Sequence, residues 1–189
     1  MQSAPTALRY TTVAIAFHWL LALAIIGSLG MGFYMSDLPF SPSRLKLFNW
    51  HKWAGITILA LSAARALWRL THRPPALPDA VLAAMPVWQR HAHRATHGLL
   101  YGLFFAVPLS GWAYTSAAGY PVVWFGVLAL PDWVAVDRPL ADAVLKPLHH
   151  LLAFALAALL VLHVAATLKH QFVDGDGLFW RIWPRRVKR

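Results

Sequence analysis

The stretch "LHHLLAFALAALLVLHVAATLKH", Leu148–His170, decides the fold class of this chain. It is almost wholly apolar and exceeds the roughly 20 residues that a membrane-spanning helix needs. It nevertheless carries four histidines, and a polar side chain in hydrocarbon costs free energy unless it is bound. The stretch therefore predicts a transmembrane helix whose histidines have partners or a ligand.

The composition of the whole chain supports a membrane protein. Its 189 residues are 59% hydrophobic and include 10 Trp, no Cys and no Glu, which is unlike a soluble domain of this length. We predict an all-α membrane protein, a four-helix transmembrane bundle formed by one domain over residues 1–189. The predicted spans cover about residues 12–35, 45–68, 93–116 and 147–169.

The distribution of Lys and Arg predicts the orientation of the spans. Most of these residues lie in the two tails and between spans two and three, on one side of the membrane. By the positive-inside rule both termini are then cytoplasmic in a bacterial inner membrane. Topology and anionic lipid also explain the formal charge of +10, so we do not expect nucleic-acid binding. The first apolar tract is too long for a signal peptide and has no convincing cleavage site.

The histidines form two predicted pairs. His149 and His163 are 14 residues apart, which places them on one helix face about 21 Å apart. His150 lies about 220° around the helix from His163 and is expected to point elsewhere. His18 matches the cytoplasmic depth of His163, and His51 matches the external depth of His149. Each leaflet therefore receives one histidine from each of two helices.

A haem b held by two imidazoles is the expected occupant of each pair. The absence of Cys excludes thiolate iron–sulfur ligation and thioether-attached haem, so any metal needs nitrogen or oxygen ligands. The alternatives are histidines that bond neighbouring helices, or a proton relay. Arg65 lies 14 residues after His51, at the depth of the cytoplasmic pair, where it could meet a haem propionate. Lys52 could do the same outside, or extend to the lipid headgroups.

Four motifs in order resemble the bacterial cytochrome b561 family over about residues 10–184: "FHWLLALAI", "WHKWAGITILALSAARALWRL", "HGLLYGLFFAVPLSGW" and the opening stretch. The resemblance implies a four-helix inner-membrane cytochrome with two haems b, whose iron ligands fall on His18 and His163 for the cytoplasmic side and His51 and His149 for the periplasmic side. The best-understood type of this family is a superoxide oxidase that passes electrons to ubiquinone. Related haem subunits anchor nickel hydrogenases and formate dehydrogenases.

Superoxide is a small anion, so basic residues near the periplasmic pair are candidates for attracting it. They are Arg44, Lys46, Lys52 and Lys146. The alternative is that these residues bound the spans and contact lipid phosphate.

Two further histidines are candidates for a ubiquinone site on the cytoplasmic side. His97 opens span three and His170 leaves span four, where either could donate a hydrogen bond to a quinone or relay a proton. In "KHQF" one histidine stands where close relatives tend to carry two, which leaves the role of His170 open. A rival interpretation of "HAHRATH" is a surface metal site formed by His91, His93 and His97.

The sequence therefore favours an oxidoreductase of the superoxide:ubiquinone type, whose partners are membrane lipid, superoxide and quinone. The alternative is a cytochrome b anchor subunit that passes electrons between a hydrogenase- or dehydrogenase-type redox partner and the quinone pool. A third possibility is a four-helix membrane protein without a cofactor.

Overall fold

The computed structural model describes residues 9–184. The last basic residues of the cytoplasmic-tail prediction, Arg185, Arg186, Lys188 and Arg189, lie outside this range. The helices and strands are, in chain order, α1 (Thr12–Ser36), α2 (Pro42–Thr71), α3 (Asp79–Ala84), α4 (Val87–Ala117), β1 (Val123–Trp124), β2 (Leu128–Ala129), α5 (Arg138–Leu140) and α6 (Lys146–Lys169). A π-helical turn, Ala141–Leu145, joins α5 to α6 without a break.

The four long helices α1, α2, α4 and α6 pack around one apolar core. Helix α1 packs on α2, α2 on α4, and α4 on α6. Every one of the four contributes to the central cluster, which consists of Leu21, Ile25, Ile58, Leu100 and Leu156. This core lies midway along the helices, between the two ends at which the candidate histidines occur.

The long helices overlap the four predicted spans. Two continuous helical stretches, Thr12–Ser36 and Arg138–Asp174, are long and apolar enough to cross a membrane. Helices α2 and α4 have 30 and 31 residues, ample for a bilayer about 30 Å thick, but they carry more charged residues. That these two also span the membrane stays a prediction.

The segment between α4 and α6 contains a small β-hairpin packed on α2. Strand β1 pairs antiparallel with β2. Trp53 Nε1 donates to Val123 O at 2.6 Å, and Trp124 Nε1 donates to Thr57 Oγ1 at 3.2 Å. The aromatic residues and aspartates of this segment predict a partly helical cap at the membrane interface. Helix is confined to α5 and the π-helical turn that follows it, and the hairpin packs on α2 before them.

The chain after α6 folds back onto the opposite end of the bundle. Its aromatic and basic residues predict an interfacial amphipathic helix. Instead, a π-helical turn, His170–Asp174, is capped by Gly175, whose φ of 64° is left-handed. A short 3₁₀ helix, Leu178–Arg181, follows. Arg181 is buried, and its Nη2 donates to the carbonyls of Pro75 and Ala76. This segment therefore ties the α2–α3 loop to the bundle.

Candidate functional site

His51 of α2 and His149 of α6 face each other at the hairpin end of the bundle. Their ring centres are 6.2 Å apart, and the ring planes are nearly perpendicular at 79°. The two histidines come from helices separated by almost a hundred residues of chain. The structure therefore brings together the pair that was predicted for the periplasmic leaflet.

Each imidazole of this pair is oriented by hydrogen bonds of its own Nδ1 atom. His149 Nδ1 lies 3.1 Å from Val107 O and 3.1 Å from Ser110 Oγ. A carbonyl only accepts, so Nδ1 carries the proton and donates. Ser28 Oγ lies 3.3 Å from Nδ1 of His51, which suits the same tautomer. Partners on Nδ1 leave Nε2 of each ring free to bind a metal, as is usual for metal-bound histidine.

A glycine on the neighbouring helix makes room for each of these two rings. A Cβ added at Gly32 of α1 would lie 3.2 Å from Cε1 of His51. A Cβ added at Gly111 of α4 would lie 2.9 Å from Cε1 of His149. Both imidazoles thus lie directly against helix backbone, in positions that a larger residue would obstruct.

The second pair, His18 of α1 and His163 of α6, lies at the other end of the bundle. Its ring centres are 6.5 Å apart, with 59° between the planes. His97 is also near, because its ring meets that of His163 edge-on at 5.4 Å. His97 Nδ1 donates to the carbonyl of His93 at 2.8 Å. The structure therefore gathers three of the predicted histidines at the end of the bundle that is predicted to face the cytoplasm.

The spacing of the rings decides which histidines could share a metal ion. A metal–nitrogen bond of about 2.0 Å, with each ring centre about 1.1 Å beyond its nitrogen, gives a separation of roughly 6.2 Å for two imidazoles on opposite sides of one ion. The separations of 6.2 and 6.5 Å fit this value. The 5.4 Å between His97 and His163 is too short for such an arrangement and corresponds to direct ring contact.

Arg65 lies beside the cytoplasmic pair, as predicted from its spacing. It interacts electrostatically with both His18 and His163. Its guanidinium carbon lies 5.4 Å from the centre of the Tyr101 ring. The guanidinium carbon of Arg69 lies 5.5 Å from the centre of the same ring, and its Nη1 donates to Tyr101 Oη at 3.2 Å. Tyr101 thus holds Arg65 close to the histidines, where the arginine could pair with an anionic group.

A cavity of about 240 Å³ adjoins the His51 and His149 pair. Three of the four predicted anion-attracting residues line it, namely Arg44, Lys52 and Lys146. The fourth, Lys46, is exposed two residues from Arg44. His150 also lines the cavity, with its ring 6.4 Å from that of His149. That His150 points to a different face of α6 from His163 stays a prediction.

His170 is held by acidic side chains of the segment after α6. Its Nδ1 lies 2.6 Å from Asp176 Oδ2 and 3.1 Å from Asp174 Oδ2. Its Nε2 lies 3.4 Å from the side-chain nitrogen of Gln89. Both ring nitrogens of His170 therefore already have polar neighbours. A histidine that binds a quinone needs a ring nitrogen that is free to form that hydrogen bond. Lys169 pairs with the same Asp174 at 2.7 Å.

The three histidines of the alternative metal site in "HAHRATH" do not come together. The rings of His93 and His97 are in contact, with centres 4.4 Å apart and planes tilted by 48°, but His91 is exposed outside this contact. Within residues 9–184, the three ligand atoms that converge to within 4.8 Å of one another belong to His170, Asp174 and Asp176.

The comparisons with known proteins agree with the histidine geometry. The family model described as prokaryotic cytochrome b561 matches residues 9–185 of this chain. The chain belongs to the prokaryotic cytochrome b561 family. Membership makes it a prokaryotic membrane cytochrome of electron transfer and implies haem of the b type. Both histidine pairs have a ring spacing that suits one ion. In the His51 and His149 pair the hydrogen bonds on Nδ1 also leave Nε2 to bind it, so the residues fit such a group.

Relatives cover nearly the whole length of this cytochrome. It is 34% identical over 180 residues to "Cytochrome b561 homolog 2" of Escherichia coli (strain K12), which covers 92% of this chain and 90% of the relative. It is 29% identical over 189 residues to "Probable superoxide oxidase CybB" of Yersinia pestis, covering 94% of this chain and 97% of the relative. "Cytochrome b561 homolog 1" of E. coli is 26% identical over 179 residues, covering 94% and 98%.

Sequence reasoning missed the residues that orient the ligands of this cytochrome. Ser28, Val107 and Ser110 contact the histidines from other helices, and no spacing within one helix reveals such contacts. Gly32 and Gly111 are visible in the sequence, but glycine is common in membrane helix packing. Their role follows only from the distance between the helices.

Proposed function

We propose that this chain is a dihaem cytochrome of the bacterial inner membrane that transfers electrons from periplasmic superoxide to ubiquinone. The observation that carries the proposal is the presence of two histidine pairs, each with the ring spacing required by one iron. His149 and His163 contribute one ligand to each pair from a single helix. They are 14 residues, or about 21 Å, apart along α6.

The proposed topology has four spans and both termini in the cytoplasm. Helices α1, α2, α4 and α6 share one core, so a membrane that surrounds α1 and α6 would also surround α2 and α4. The loop after α2 carries Arg73, and the first two turns of α4 carry Arg90 and Arg94. Positive residues of short loops favour the cytoplasmic side. The hairpin end, with His51 and His149, would then face the periplasm.

The outer reaction is the removal of one electron from superoxide, which yields O₂. The cavity beside His51 and His149 is lined by the basic side chains of Arg44, Lys52 and Lys146. Positive charge that lines a cleft concentrates small anions and raises their rate of encounter. The bound haems would supply single-electron acceptors and donors in each leaflet. The relative named "Probable superoxide oxidase CybB" supports superoxide as the donor.

The inner reaction consumes these electrons and cytoplasmic protons. Two superoxide anions, one quinone and two protons give two O₂ and one quinol, which balances atoms and charge. His97 is the better-placed of the two candidate quinone contacts, because it touches His163 and has only Nδ1 engaged. His170 would have to exchange Asp176 or Gln89 for the quinone.

Rapid mixing of superoxide with the oxidised purified protein tests this function. We expect fast reduction of the haem spectrum, followed by reoxidation and quinol formation when a ubiquinone analogue is present. Reduction no faster than in a bis-histidine cytochrome without a basic cavity would contradict superoxide as the donor. In that case, reduction by a hydrogenase- or dehydrogenase-type protein would support the anchor-subunit alternative.

A further inference from the structure

Arg44 is a half-buried cation without a complete set of partners. Its guanidinium carbon lies 5.4 Å from the centre of the Phe48 ring, one helical turn further along α2. Its Nε atom is buried and has no hydrogen-bond partner within residues 9–184. A buried N–H without an acceptor is costly, more so when it is charged. This side chain, which lines the cavity beside His51 and His149, is thus arranged to meet an anion.

Arg44 also shares one face of α2 with other residues that point into the bundle. Arg44, His51, Ile58 and Arg65 follow one another at intervals of seven residues. Seven residues are nearly two turns, so the four side chains form a single stripe. Ile58 of this stripe is buried in the central core. Arg44 therefore lies about 10 Å beyond His51 toward the hairpin end, on the same side of the helix.

The other cations of the cavity are in different situations. Lys52 Nζ already donates to Pro121 O at 3.1 Å. Lys146 is exposed at the surface. Arg44 thus combines partial burial, an orientation on Phe48 and a buried Nε donor without a partner. A planar guanidinium with these properties suits a carboxylate, which it can bind through two parallel hydrogen bonds.

We propose that Arg44 binds a propionate carboxylate of the haem b held by His51 and His149. Arg44 then positions the cofactor and sets its potential, whereas the sequence grouped it with the residues that attract superoxide. The inference rests on the proposed outer haem, but not on the proposed donor or acceptor. Because the positive charge would favour the reduced haem, its removal should lower the midpoint potential.

The test compares Arg44→Gln, Arg44→Lys and Lys46→Gln in the purified holoprotein. Lys46→Gln is the matched control, because it removes one positive charge two residues away and outside the cavity wall. The measurements are redox titration of both haems and the rate of haem transfer to excess apomyoglobin. In Arg44→Gln we expect a lower potential for one haem, and release of one haem roughly tenfold faster or more. Arg44→Lys should keep the potential but release haem at an intermediate rate.

A second arm identifies the acceptor on the haem. Wild type and Arg44→Gln are loaded with protohaem or with its dimethyl ester, in which the carboxylates are blocked. The inner haem should be released at the same rate from both proteins, so it does not affect the difference between their release rates. We expect the difference in release rate to be present with protohaem and lost with the ester. A difference that persists with the ester would overturn the propionate as the partner.

If Arg44→Gln and Lys46→Gln have the same haem midpoint potentials and the same rates of haem release, the proposal is overturned. These readouts use neither superoxide nor quinone, so a failure of superoxide oxidation leaves them unchanged. The haem content of the wild-type protein is measured before any variant is made. If the outer pair holds no haem, the proposed function itself is contradicted.

Discussion

Gly111 of α4 lies so close to His149 of α6 that an added Cβ would be 2.9 Å from Cε1 of the imidazole. Real Cβ contacts essentially never reach this distance, and the atom opposed is part of a rigid ring. The ring is further held by hydrogen bonds from Nδ1 to Val107 O and Ser110 Oγ. Helix α4 therefore determines where the outer histidine of α6 can lie.

Gly111→Ala should displace His149 and cost the outer haem. We expect haem content to fall by about one per chain in the purified protein, as measured by the pyridine haemochrome spectrum. Gly102→Ala is the matched control on the same helix, because no described atom lies within 4 Å of its Cβ position. It should keep its haem and gain up to about 1 kcal/mol of helix stability. Equal haem contents in the two variants would contradict this role for Gly111.

The two adjacent histidines of α6 should differ in their effect on haem. His149 faces His51 across 6.2 Å, whereas His150 is exposed at the cavity edge. We expect His149→Ala to lose about one haem per chain and His150→Ala to retain both. Haem content and the number of waves in a redox titration measure this. Loss of haem from His150→Ala with retention in His149→Ala would reverse the ligand assignment.

Lys146→Gln should slow the reaction with superoxide without removing haem. Lys146 is an exposed cation that lines the outer cavity, so it acts by long-range attraction. We expect the second-order rate constant to fall about two- to fivefold at low ionic strength, with a smaller difference at high salt. Arg73→Gln removes the same charge beyond the opposite end of α2 and should have little effect. Equal rates for both variants would show that Lys146 does not guide the anion.

Arg181 should stabilise the end of the bundle that holds His18 and His163. Its Nη2 donates to the carbonyls of Pro75 and Ala76 from a buried position. Hydrogen bonds to a charged group contribute roughly 1.5–3 kcal/mol each. Arg181→Met should therefore lower the free energy of unfolding by about 2 kcal/mol or more, measured as a lower melting temperature in detergent. An unchanged melting temperature would contradict this role.

The sequence predicted the features of the site that depend on spacing along single helices. The 14-residue interval between His149 and His163 and the depth of each histidine were enough to predict both pairs. Arg65 was found in the same way. The hydrogen bonds of Ser110 and the fit of Gly111 could not be predicted, because they depend on how closely two helices pack. The proximity of His150 to the cavity was missed because the cavity belongs to several elements.

The irregular segments were the hardest to predict. The hairpin around Phe125 has a positive φ at this residue and at Gly126, and its stability comes from indole hydrogen bonds to α2. The segment after α6 contains apolar and basic residues in a pattern typical of an interfacial helix. Gly175 and Gly177 both adopt left-handed backbone conformations there, which end the helix and turn the chain back.

The haem content of the purified wild-type protein tests the central claim most directly. The two histidine pairs predict two haems b per chain, resolved as two components in a redox titration and each lost when a ligand of its own pair is replaced. One haem that disappears with His51→Ala and with His18→Ala alike, or no b-type α-band at all, would contradict the two-site account.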